Sequence, residues 1–332
     1  MNTVLVTGGA GYIGSHTVKV LVEKGMDVVV LDSLVTGHRK AVPPHVTFYQ
    51  GDIADTDLVT SIVNQHAVDA VIHFAARSLV GESVVKPDLY FYENTAKTIR
   101  LFSTLVEQGV KKVVISSTAA VYGIPQDIPI LEGAPTSPIN PYGLSKLMIE
   151  QAMYWLDHAY GLRWVALRYF NAAGASLDGS IGEDHAPETH LIPLVLQTAL
   201  GQRPAVQIFG TDYGTPDGTC IRDYVHVLDL AEAHYLAVKA LDAGLQSRSF
   251  NVGTGHGYSV REVIETARRV TEKQINTVET DRRAGDPAVL VARVDDIKQM
   301  LGWQPRYSDL ETMIASAWKW HAKHPNGYIR GF

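Results

Sequence analysis

Short β-branched runs alternate with segments of helical periodicity through the first half of the chain. The runs are Val4–Val6, Val28–Leu31, Val46–Tyr49, Ala70–Ile72, Val113–Ile115 and Trp164–Leu167, and the helical segments are Ile13–Lys24, Asp57–His66, Leu89–Gln108 and Pro141–Tyr160. The runs are too uniformly apolar for a sheet with one face in water. The alternation therefore predicts an α/β fold with a doubly wound parallel sheet covered by helices on both faces.

The second half of the chain has a looser pattern. After about Asn171, loops with Gly and Pro separate helices predicted near residues 190–200, 227–243, 259–272 and 309–323. Since no low-complexity linker or internal repeat divides the sequence, we expect a smaller α/β domain interwoven with the first. The expected division is a sheet domain over residues 1–175, rejoined by about 224–245, and a mainly smaller domain over 176–332.

Composition excludes several classes of partner. The 332 residues carry a formal net charge of −6 without a basic block, so nucleic acid is not expected. The single cysteine, Cys220, favours a reducing cytoplasm. The N-terminus lacks the charged and apolar regions of a secretory signal. The longest apolar stretches, such as Leu191–Leu200, fall short of the ~20 residues of a membrane span, so no membrane insertion is expected.

A glycine-rich turn, Thr7-Gly8-Gly9-Ala10-Gly11-Tyr12-Ile13-Gly14, lies between the first predicted strand and helix. Glycine lets the backbone approach a pyrophosphate, and the first N–H groups of the helix stabilise its charge. Asp32 ends the second strand, where a carboxylate accepts hydrogen bonds from ribose hydroxyls and repels a 2′-phosphate. The pattern predicts a Rossmann-type domain that binds NAD. A second glycine-rich segment, residues 253–257, lacks this spacing and is interpreted as a turn.

Tyr142 and Lys146 form a candidate acid–base pair. Residues four apart share one face of a helix, so the ammonium would favour the ionised phenol and lower its pKa. Chance matches to this spacing are common, and Tyr235 with Lys239 also fits it. Asn140-Pro141 predicts a helix start that puts Tyr142 in the first turn, whereas Tyr235 lies in mid-helix. Tyr142 is therefore the predicted general base.

A run of hydroxyl side chains, Ser116-Ser117-Thr118, follows the predicted strand Val113–Ile115. Ligands of parallel sheets bind at the carboxyl ends of the strands. A hydroxyl there could bridge a substrate alcohol and Tyr142, and a simple turn after the strand remains the alternative.

The motifs together carry a family resemblance. They are Thr7–His16, Ile72–Ala76, Val80–Ser83, Ser116–Gly123, Tyr142–Lys146, Arg168–Asn171, Gly182–Asp184, Leu191–Pro193, Asp217–Val227 and Arg282–Pro287. Their order resembles the extended short-chain dehydrogenase/reductase family, and in particular its enzymes that epimerise nucleotide sugars. The resemblance continues to His324–Tyr328, near the end of the chain.

The resemblance implies an NAD-dependent isomerase that inverts C4 of a UDP-hexose and interconverts UDP-glucose and UDP-galactose. Tyr142 would take the proton of the 4-hydroxyl, with Thr118 relaying the hydrogen bond, while hydride passes from C4 to NAD. The 4-keto sugar would rotate and recover the same hydride, so NAD stays tightly bound and is not exchanged. Lys146 would lower the pKa of Tyr142 and hold the nicotinamide ribose.

The resemblance also implies the binding residues. The implied NAD site contains Gly8, Gly11, Tyr12, Ile13, Gly14, Asp32, Asp52, Ile53, Phe74, Ala75, Ala76, Asn94, Ser116, Tyr142, Lys146 and Tyr169. The implied substrate site contains Thr118, Tyr142, Asn171, Leu191, Arg222, Arg283, Asp286 and Leu290. Arg222 and Arg283 are the candidates for the diphosphate, because a guanidinium fork suits phosphate oxygens. Leu290 has intermediate size where bulk limits N-acetylated sugars, which leaves that activity open.

Alternative functions leave different marks in the sequence. A nucleotide-sugar 4,6-dehydratase would need an acid pair after Thr118, where Ala119-Ala120 stand. A UDP-N-acetylhexosamine 4-epimerase of the same family is a second alternative, which the intermediate size of Leu290 leaves open. A dinucleotide-sensing binding protein without turnover would have no reason to keep Thr118, Tyr142 and Lys146 together.

Two further features bear on metals and assembly. Glu183, Asp184, His185 and His190 could suggest a metal site, but Pro187 breaks helical spacing and the resemblance implies a substrate loop, so no metal is expected. The apolar faces of Leu89–Gln108 and Pro141–Tyr160 suggest a homodimer through paired helices, as in the family.

Overall fold

The computed structural model describes residues 3–283 and 285–328, and a parallel sheet is its largest element. The strands are β1 Thr3–Thr7, β2 Asp27–Asp32, β3 Thr47–Gln50, β4 Ala70–His73, β5 Lys112–Thr118, β6 Arg163–Tyr169, β7 Asn171–Ala173, β8 Val206–Phe209, β9 Ile221–Arg222, β10 Tyr224–His226, β11 Arg248–Val252, β12 Tyr258–Ser259, β13 Thr277–Thr280 and β14 Val289–Leu290. Within these residues, seven strands form one sheet in the order β11-β6-β5-β4-β1-β2-β3, with every neighbouring pair parallel. The doubly wound parallel sheet expected from the sequence is confirmed.

Helices cover the sheet. They are α1 Tyr12–Glu23, α2 Thr56–His66, α3 Val80–Val85, α4 Pro87–Tyr90, α5 Lys97–Glu107, α6 Pro141–Tyr160, α7 Leu191–Ala199, α8 Val227–Asp242, α9 Val260–Thr271, α10 Asp295–Leu301 and α11 Leu310–Lys323. The N-cap predicted for α6 is present, because Oδ1 of Asn140 accepts a hydrogen bond from the Gly143 N–H at 2.8 Å. In the described part of the chain, none of the helices combines the length and hydropathy that crossing a bilayer demands.

Both faces of the sheet are buried, because successive side chains of a strand point to opposite sides. In β1, Val4 and Val6 belong to a core that also contains Leu21 of α1 and Leu230 of α8. Leu5, between them, belongs to a second core with residues of α2, α5 and α6. All five side chains are fully buried. This two-sided burial explains why the β-branched runs are continuously apolar rather than alternating.

The helix predicted over Leu89–Gln108 is interrupted in the structure. Phe91–Ala96 forms a π-helical turn between α4 and α5. The turn holds Asn94, which is fully buried and satisfies its polar atoms at short range. Its Oδ1 accepts the Arg77 N–H at 2.8 Å, and its Nδ2 donates to the Arg77 carbonyl at 3.0 Å and to Oγ of Ser145 at 3.1 Å. Periodicity could not reveal this turn, because the apolar spacing continues through it.

Most of the second half of the chain packs around a separate apolar core. Two of its elements, β11 and α8, pack with the main sheet instead. Residues of α7, α9 and α11 pack with β8 in this core. Small sheets surround it, with strand orders β10-β7, β12-β9-β14 and β13-β8. β11 leaves this region to pair with β6 at the edge of the main sheet, and α8 packs on the main sheet's first core. The strands of these small sheets have two to four residues and no continuous apolar run, so neither signal used for the main sheet predicts them.

Four buried histidines are held neutral by the fold. Burial lowers the pKa of His16 and His234 to about 4, and that of His73 and His226 to about 3. Each side chain is fully or almost fully buried. The unfolded chain binds protons at these four positions near pH 6.5, whereas the folded chain does not. The free energy of unfolding therefore does not depend on these histidines above pH 6.5, and it decreases as the pH falls from 6.5 toward 4, because protons then bind the unfolded chain preferentially.

We expect the free energy of unfolding to decrease when the pH is lowered from 7 to 5.5. The loss is about 1 kcal/mol for each of the four buried histidines. Urea titrations at the two pH values measure the difference, and equal stabilities would contradict the buried, neutral state of these side chains.

Candidate active site

The turn after β1 requires glycine at two positions. Gly8 has a φ of +73°, and a Cβ atom there would lie 2.4 Å from the backbone nitrogen of Ala75. A Cβ atom on Gly14 would lie 2.2 Å from the carbonyl oxygen of Gly8. Both distances are far shorter than any non-bonded contact allows. The turn therefore has the close backbone packing of a site that takes a pyrophosphate, as the sequence predicts.

The two glycine-rich segments differ in whether their N–H groups are free for a ligand. Gly11 occupies the N-cap of α1, and no side chain of the described residues caps this helix. Its first N–H groups are therefore available to an anion. In the second segment, the buried Asp223 accepts hydrogen bonds from the N–H groups of Thr254 at 2.7 Å and Gly255 at 3.0 Å. That segment is a turn held by a side chain, as predicted.

Asp32, the last residue of β2, is buried beside the glycine-rich turn. Its Oδ2 accepts the N–H of Ala10 at 2.9 Å, and its Oδ1 accepts the N–H of Leu34 at 2.8 Å. Burial raises the pKa of Asp32, while the two amide hydrogen bonds act in the opposite direction. Because each carboxylate oxygen can accept a second hydrogen bond, Asp32 retains the capacity to bind ribose hydroxyls.

The other residues implied for NAD lie at or just beyond the carboxyl ends of strands, or in helical segments beside them. They are Tyr12, Ile13, Asp52, Ile53, Phe74, Ala75, Ala76, Asn94, Ser116 and Tyr169. Asp52 accepts a hydrogen bond from Nζ of Lys97 at 2.5 Å. The Tyr169 hydroxyl is hydrogen-bonded to Nε2 of His234. The Tyr12 hydroxyl donates to the Gly174 carbonyl at 2.6 Å, so it ties α1 to the segment after β7.

The three candidate catalytic residues meet where β5 ends and α6 begins. The Thr118 hydroxyl lies beside the Tyr142 phenol and acts to lower its pKa. Nζ of Lys146 donates to the carbonyl oxygen of Ser116 at 2.9 Å and to its Oγ at 3.1 Å. Lys146 is buried. A phenol, a hydroxyl and an ammonium therefore lie together at the carboxyl edge of the parallel sheet, where ligands bind in this class of fold.

The pKa of Tyr142 differs from the expectation. Desolvation raises it above its usual value, and the Thr118 hydroxyl acts downward. The expected lowering by Lys146 is not found, because Nζ of Lys146 donates to Ser116 instead. Burial lowers the pKa of Lys146 itself to about 8, with Glu150 opposing that shift. Lys146 thus holds the end of β5 in place. The expectation that it lowers the pKa of Tyr142 is not met in this structure.

The residues implied for the diphosphate lie in the second half of the chain. Arg222, on β9, pairs with the carboxylate of Asp286 and donates to the Ile221 carbonyl at 2.7 Å. The guanidinium carbon of Arg283 lies 3.8 Å from the centre of the Phe209 ring. Ala284, within the same motif, lies outside the described residues. The structure thus brings Arg222 and Asp286 into contact and positions Arg283 by stacking on an aromatic ring.

Leu290 connects the small sheet to the catalytic segment. It is opposite Arg222 in the register of β14 and β9. It packs on a cluster that includes Ala119, Val121 and Leu147, which lie beside the catalytic residues in sequence. Side chains of the small sheet and the catalytic turn therefore share one apolar contact surface.

Asn171 and Leu191, the remaining residues implied for the substrate, each begin an element. Asn171 starts β7, and its N–H donates to the Asp223 carbonyl at 3.0 Å. Leu191 is the first residue of α7 and is half-buried. Asn171 is thereby tied to the segment between β9 and β10, which follows Arg222 directly.

Comparison with known proteins places the chain in a family. A family model described as the NAD dependent epimerase/dehydratase family matches residues 4–253. The chain belongs to this family. A UDP-glucose 4-epimerase of Halalkalibacterium halodurans is 57% identical over 325 residues, which are 98% of this chain and 97% of that protein.

Solved structures agree with the family assignment. A crystal structure of a UDP-glucose 4-epimerase superposes with a TM-score of 0.97 at 50% identity, over 99% of this chain and 100% of the other. The UDP-glucose 4-epimerase of Brucella ovis, in complex with NAD, has a TM-score of 0.94 at 46% identity, with 96% and 98% of the two chains covered. The Rossmann-type architecture predicted from the sequence is confirmed.

A buried ion pair behind the catalytic helix could not be predicted from the sequence. Glu150 of α6 lies two turns after Tyr142, and it binds Nε and Nη2 of Arg168 on β6. The Ser117 hydroxyl also donates to Glu150, at 2.5 Å. Both charged side chains are buried. The ion pair ties α6 to β6, and the Ser117 hydroxyl ties α6 to the end of β5 that carries Thr118. The one sequence signal for Glu150 is its spacing of four residues from Lys146, which places both on one face of α6.

Proposed function

We propose that the chain inverts C4 of a UDP-hexose and so interconverts UDP-glucose and UDP-galactose. The observation that carries the proposal is the placement of Tyr142, Thr118 and the buried Lys146 together at the edge of the sheet that also carries the glycine-rich turn. Relatives named UDP-glucose 4-epimerase, similar over nearly the whole chain, support it. A binding protein without turnover would not need these three residues together.

The proposed chemistry uses a proton relay on this chain's own side chains. Tyr142, as the phenolate, accepts the proton of the sugar 4-hydroxyl and becomes the neutral phenol, and the Thr118 hydroxyl orients the sugar hydroxyl beside it. Lys146 holds the end of β5 in place. When NAD is bound, it supplies the acceptor for the C4 hydrogen and gives that hydrogen back, which requires no net oxidation. Returning the proton from Tyr142 after the sugar has turned completes the inversion.

We propose that the residues described above hold NAD and the substrate as the sequence implies. The uncapped start of α1, with Gly8 and Gly14, fits a pyrophosphate, and Asp32 fits a ribose. Arg222 and Arg283 bind the diphosphate, with Asp286, Asn171 and Leu191 alongside. A tightly held nucleotide leaves the hexose free to rotate, which the proposed reaction requires.

The simplest experiment incubates purified protein with UDP-galactose and no added cofactor, and separates the nucleotide sugars by chromatography. We expect UDP-glucose to form, and NAD to be released when the protein is denatured. A 4-keto-6-deoxy sugar would instead indicate a 4,6-dehydratase, and the absence of any product would contradict the proposal. UDP-N-acetylgalactosamine in the same assay tests whether a site with Leu290 accepts the larger N-acetylated sugar.

Replacing Arg222 by Lys should raise the KM for the UDP-sugar about 10- to 100-fold, with a smaller effect on kcat. Lysine keeps the charge but loses the planar fork that binds phosphate oxygens. Arg261 offers a matched control, since it is an exposed arginine paired with Glu279 at the surface. Steady-state kinetics of Arg222→Lys and Arg261→Lys measure the two KM values for the UDP-sugar. Equal KM values in the two variants would contradict a role of Arg222 in binding the diphosphate.

We propose a homodimer formed through α5 and α6. Ile99 and Met148 are each 38% exposed, and Tyr154 and Trp155 on α6 are exposed by 59% and 65%. Apolar side chains of this size, grouped on neighbouring helices, are typical of an interface. Light scattering should give the mass of two chains, and a one-chain mass would contradict the dimer.

The division of the chain into domains and its compartment also remain proposals. Residues 1–175 would bind NAD, rejoined by about 224–245, and 176–332 would mainly bind the nucleotide sugar. We propose the cytoplasm because the single cysteine, Cys220, suits a reducing environment.

A further inference from the structure

Four side chains with metal-ligating atoms meet in the loop that precedes α7. They are Glu183, His185, Glu188 and His190, and one ligand atom from each lies within 4.8 Å of the others. Nδ1 of His190 lies 2.6 Å from Oε1 of Glu183 and 3.5 Å from Oε1 of Glu188. Nδ1 of His185 lies 3.2 Å from Oε1 of Glu183 and 3.6 Å from Oε2 of Glu188. His185 and His190 thus each direct their Nδ1 atom at the carboxylates of Glu183 and Glu188.

The two carboxylates of the cluster are buried, His185 is half-buried and His190 is exposed, and Nδ1 of His185 is ion-paired without an aligned hydrogen bond. The side chains of Glu183 and Glu188 are each only 5% exposed. Within residues 3–283 and 285–328, Nδ1 of His185 is buried and accepts or donates no hydrogen bond. It faces two carboxylate oxygens without the alignment of a hydrogen bond to either. Two carboxylates removed from water need compensating positive charge, and a nitrogen aimed at them without a hydrogen bond is a ready metal ligand.

The separations fit a tetrahedral metal ion. Zinc bonds of about 2.0–2.2 Å place neighbouring tetrahedral ligands roughly 3.3–3.6 Å apart. Three of the four nitrogen–oxygen distances lie close to that range: 3.2 Å from His185 to Glu183, 3.5 Å from His190 to Oε1 of Glu188, and 3.6 Å from His185 to Oε2 of Glu188. A metal with four ligands would bind only one of the two Glu188 oxygens, so the other imidazole would have to shift toward it. The fourth distance, 2.6 Å, joins His190 and Glu183 through a shared proton, and these two atoms would separate by about 1 Å if a metal replaced the proton.

We propose that Glu183, His185, Glu188 and His190 bind one Zn²⁺ ion. Two neutral imidazoles and two carboxylates carry a charge of −2, which balances a divalent cation. Two nitrogen ligands favour zinc over calcium or magnesium, which prefer oxygen alone. With four protein ligands the site has no open position, so its role is structural. The sequence argument against a metal assumed helical spacing, but here a loop brings the ligands together and supplies Glu188.

The site lies between two parts of the proposed active centre. His185 contacts Tyr12 of the glycine-rich turn edge-on, with ring centres 6.3 Å apart. Leu191 follows His190 directly and begins α7. A metal here would therefore fix the loop that joins the proposed dinucleotide site to the proposed substrate segment. The inference does not depend on the proposed function, because it concerns metal binding and stability rather than turnover.

Metal content of untagged protein tests the proposal. After incubation with zinc sulfate and desalting, mass spectrometry of the metal should find about one zinc per chain. The double variant His185→Gln, His190→Gln should retain less than a tenth of that amount. A matched control, His45→Gln with His256→Gln, removes two exposed histidines and should retain zinc normally. Wild-type protein that retains no more zinc than the double variant would overturn the proposal.

A second measurement uses the wild-type chain alone, in case the double variant does not fold. Cobalt(II) added to metal-free protein should give the intense visible absorption of a tetrahedral site, and zinc should abolish it. Removing the metal with a chelator should lower the Tm by several degrees. A spectrum like that of hydrated cobalt, with a Tm unchanged by the chelator, would show that the four groups form proton-shared ion pairs only.

Discussion

The Tyr142→Phe protein should turn over UDP-galactose about 10²–10⁴-fold more slowly than the wild type. The phenol is the only group that the proposed chemistry uses to accept the proton of the 4-hydroxyl. Phenylalanine keeps the ring and removes only the hydroxyl, so the affinity for UDP should stay nearly unchanged. Rapid-quench assays of turnover, together with calorimetric titration of UDP, separate the two effects.

A matched control comes from the other Tyr-x-x-x-Lys sequence. Tyr235 lies on α8, where the ammonium of Lys24 lies 5.0 Å from the centre of its ring. Tyr235→Phe removes the same hydroxyl from a helix that packs on the sheet core and should leave turnover almost unaffected. Near-normal turnover in Tyr142→Phe would remove this residue from its proposed role as the base.

Replacing Gly8 by Ala should remove bound NAD and destabilise the fold by several kcal/mol. The new Cβ would meet the backbone nitrogen of Ala75 at 2.4 Å, so the turn after β1 and the end of β4 must move apart. Alanine also strains a backbone with φ of +73°. We expect the NAD released per chain on denaturation to fall to a small fraction of the wild-type amount.

Gly25→Ala controls for the backbone strain alone. Gly25 has nearly the same φ, +76°, but nothing lies within 4 Å of where its Cβ would be. This variant should lose about 1 kcal/mol of stability and retain NAD. If both variants kept NAD equally, close packing of the turn would not matter for the dinucleotide site.

The elements that the sequence predicted correctly are those whose signals are local. Continuous apolar runs identified strands β1, β2 and β4 to β6, because burial on both faces leaves no alternation, and the run Val46–Tyr49 identified the half-buried edge strand β3. Asn140-Pro141 predicted the start of α6 at the residue where it begins, since an N-cap side chain and a proline act within one turn. The glycine-rich turn and Asp32 were recognisable because spacing along the chain determines their geometry.

Features that depend on partners far along the chain could not be predicted from the sequence. Asn94 lies in its π-turn because Ser145 and the backbone of Arg77, far along the chain, complete its hydrogen bonds. Glu150 finds Arg168 only once α6 packs on β6. The pKa of Tyr142 is set by desolvation, which spacing to a lysine does not report. Each case needs a packed neighbour that no local pattern contains.

Conversion of UDP-galactose that carries deuterium at C4 addresses the proposed reaction most directly. The hydrogen removed from C4 should return to C4 of the UDP-glucose product, because a bound acceptor receives it and gives it back without release. Mass and magnetic resonance spectra should therefore show full retention of the label at C4, with no added dinucleotide. Loss of deuterium to water, or its appearance in free dinucleotide, would contradict the proposed mechanism.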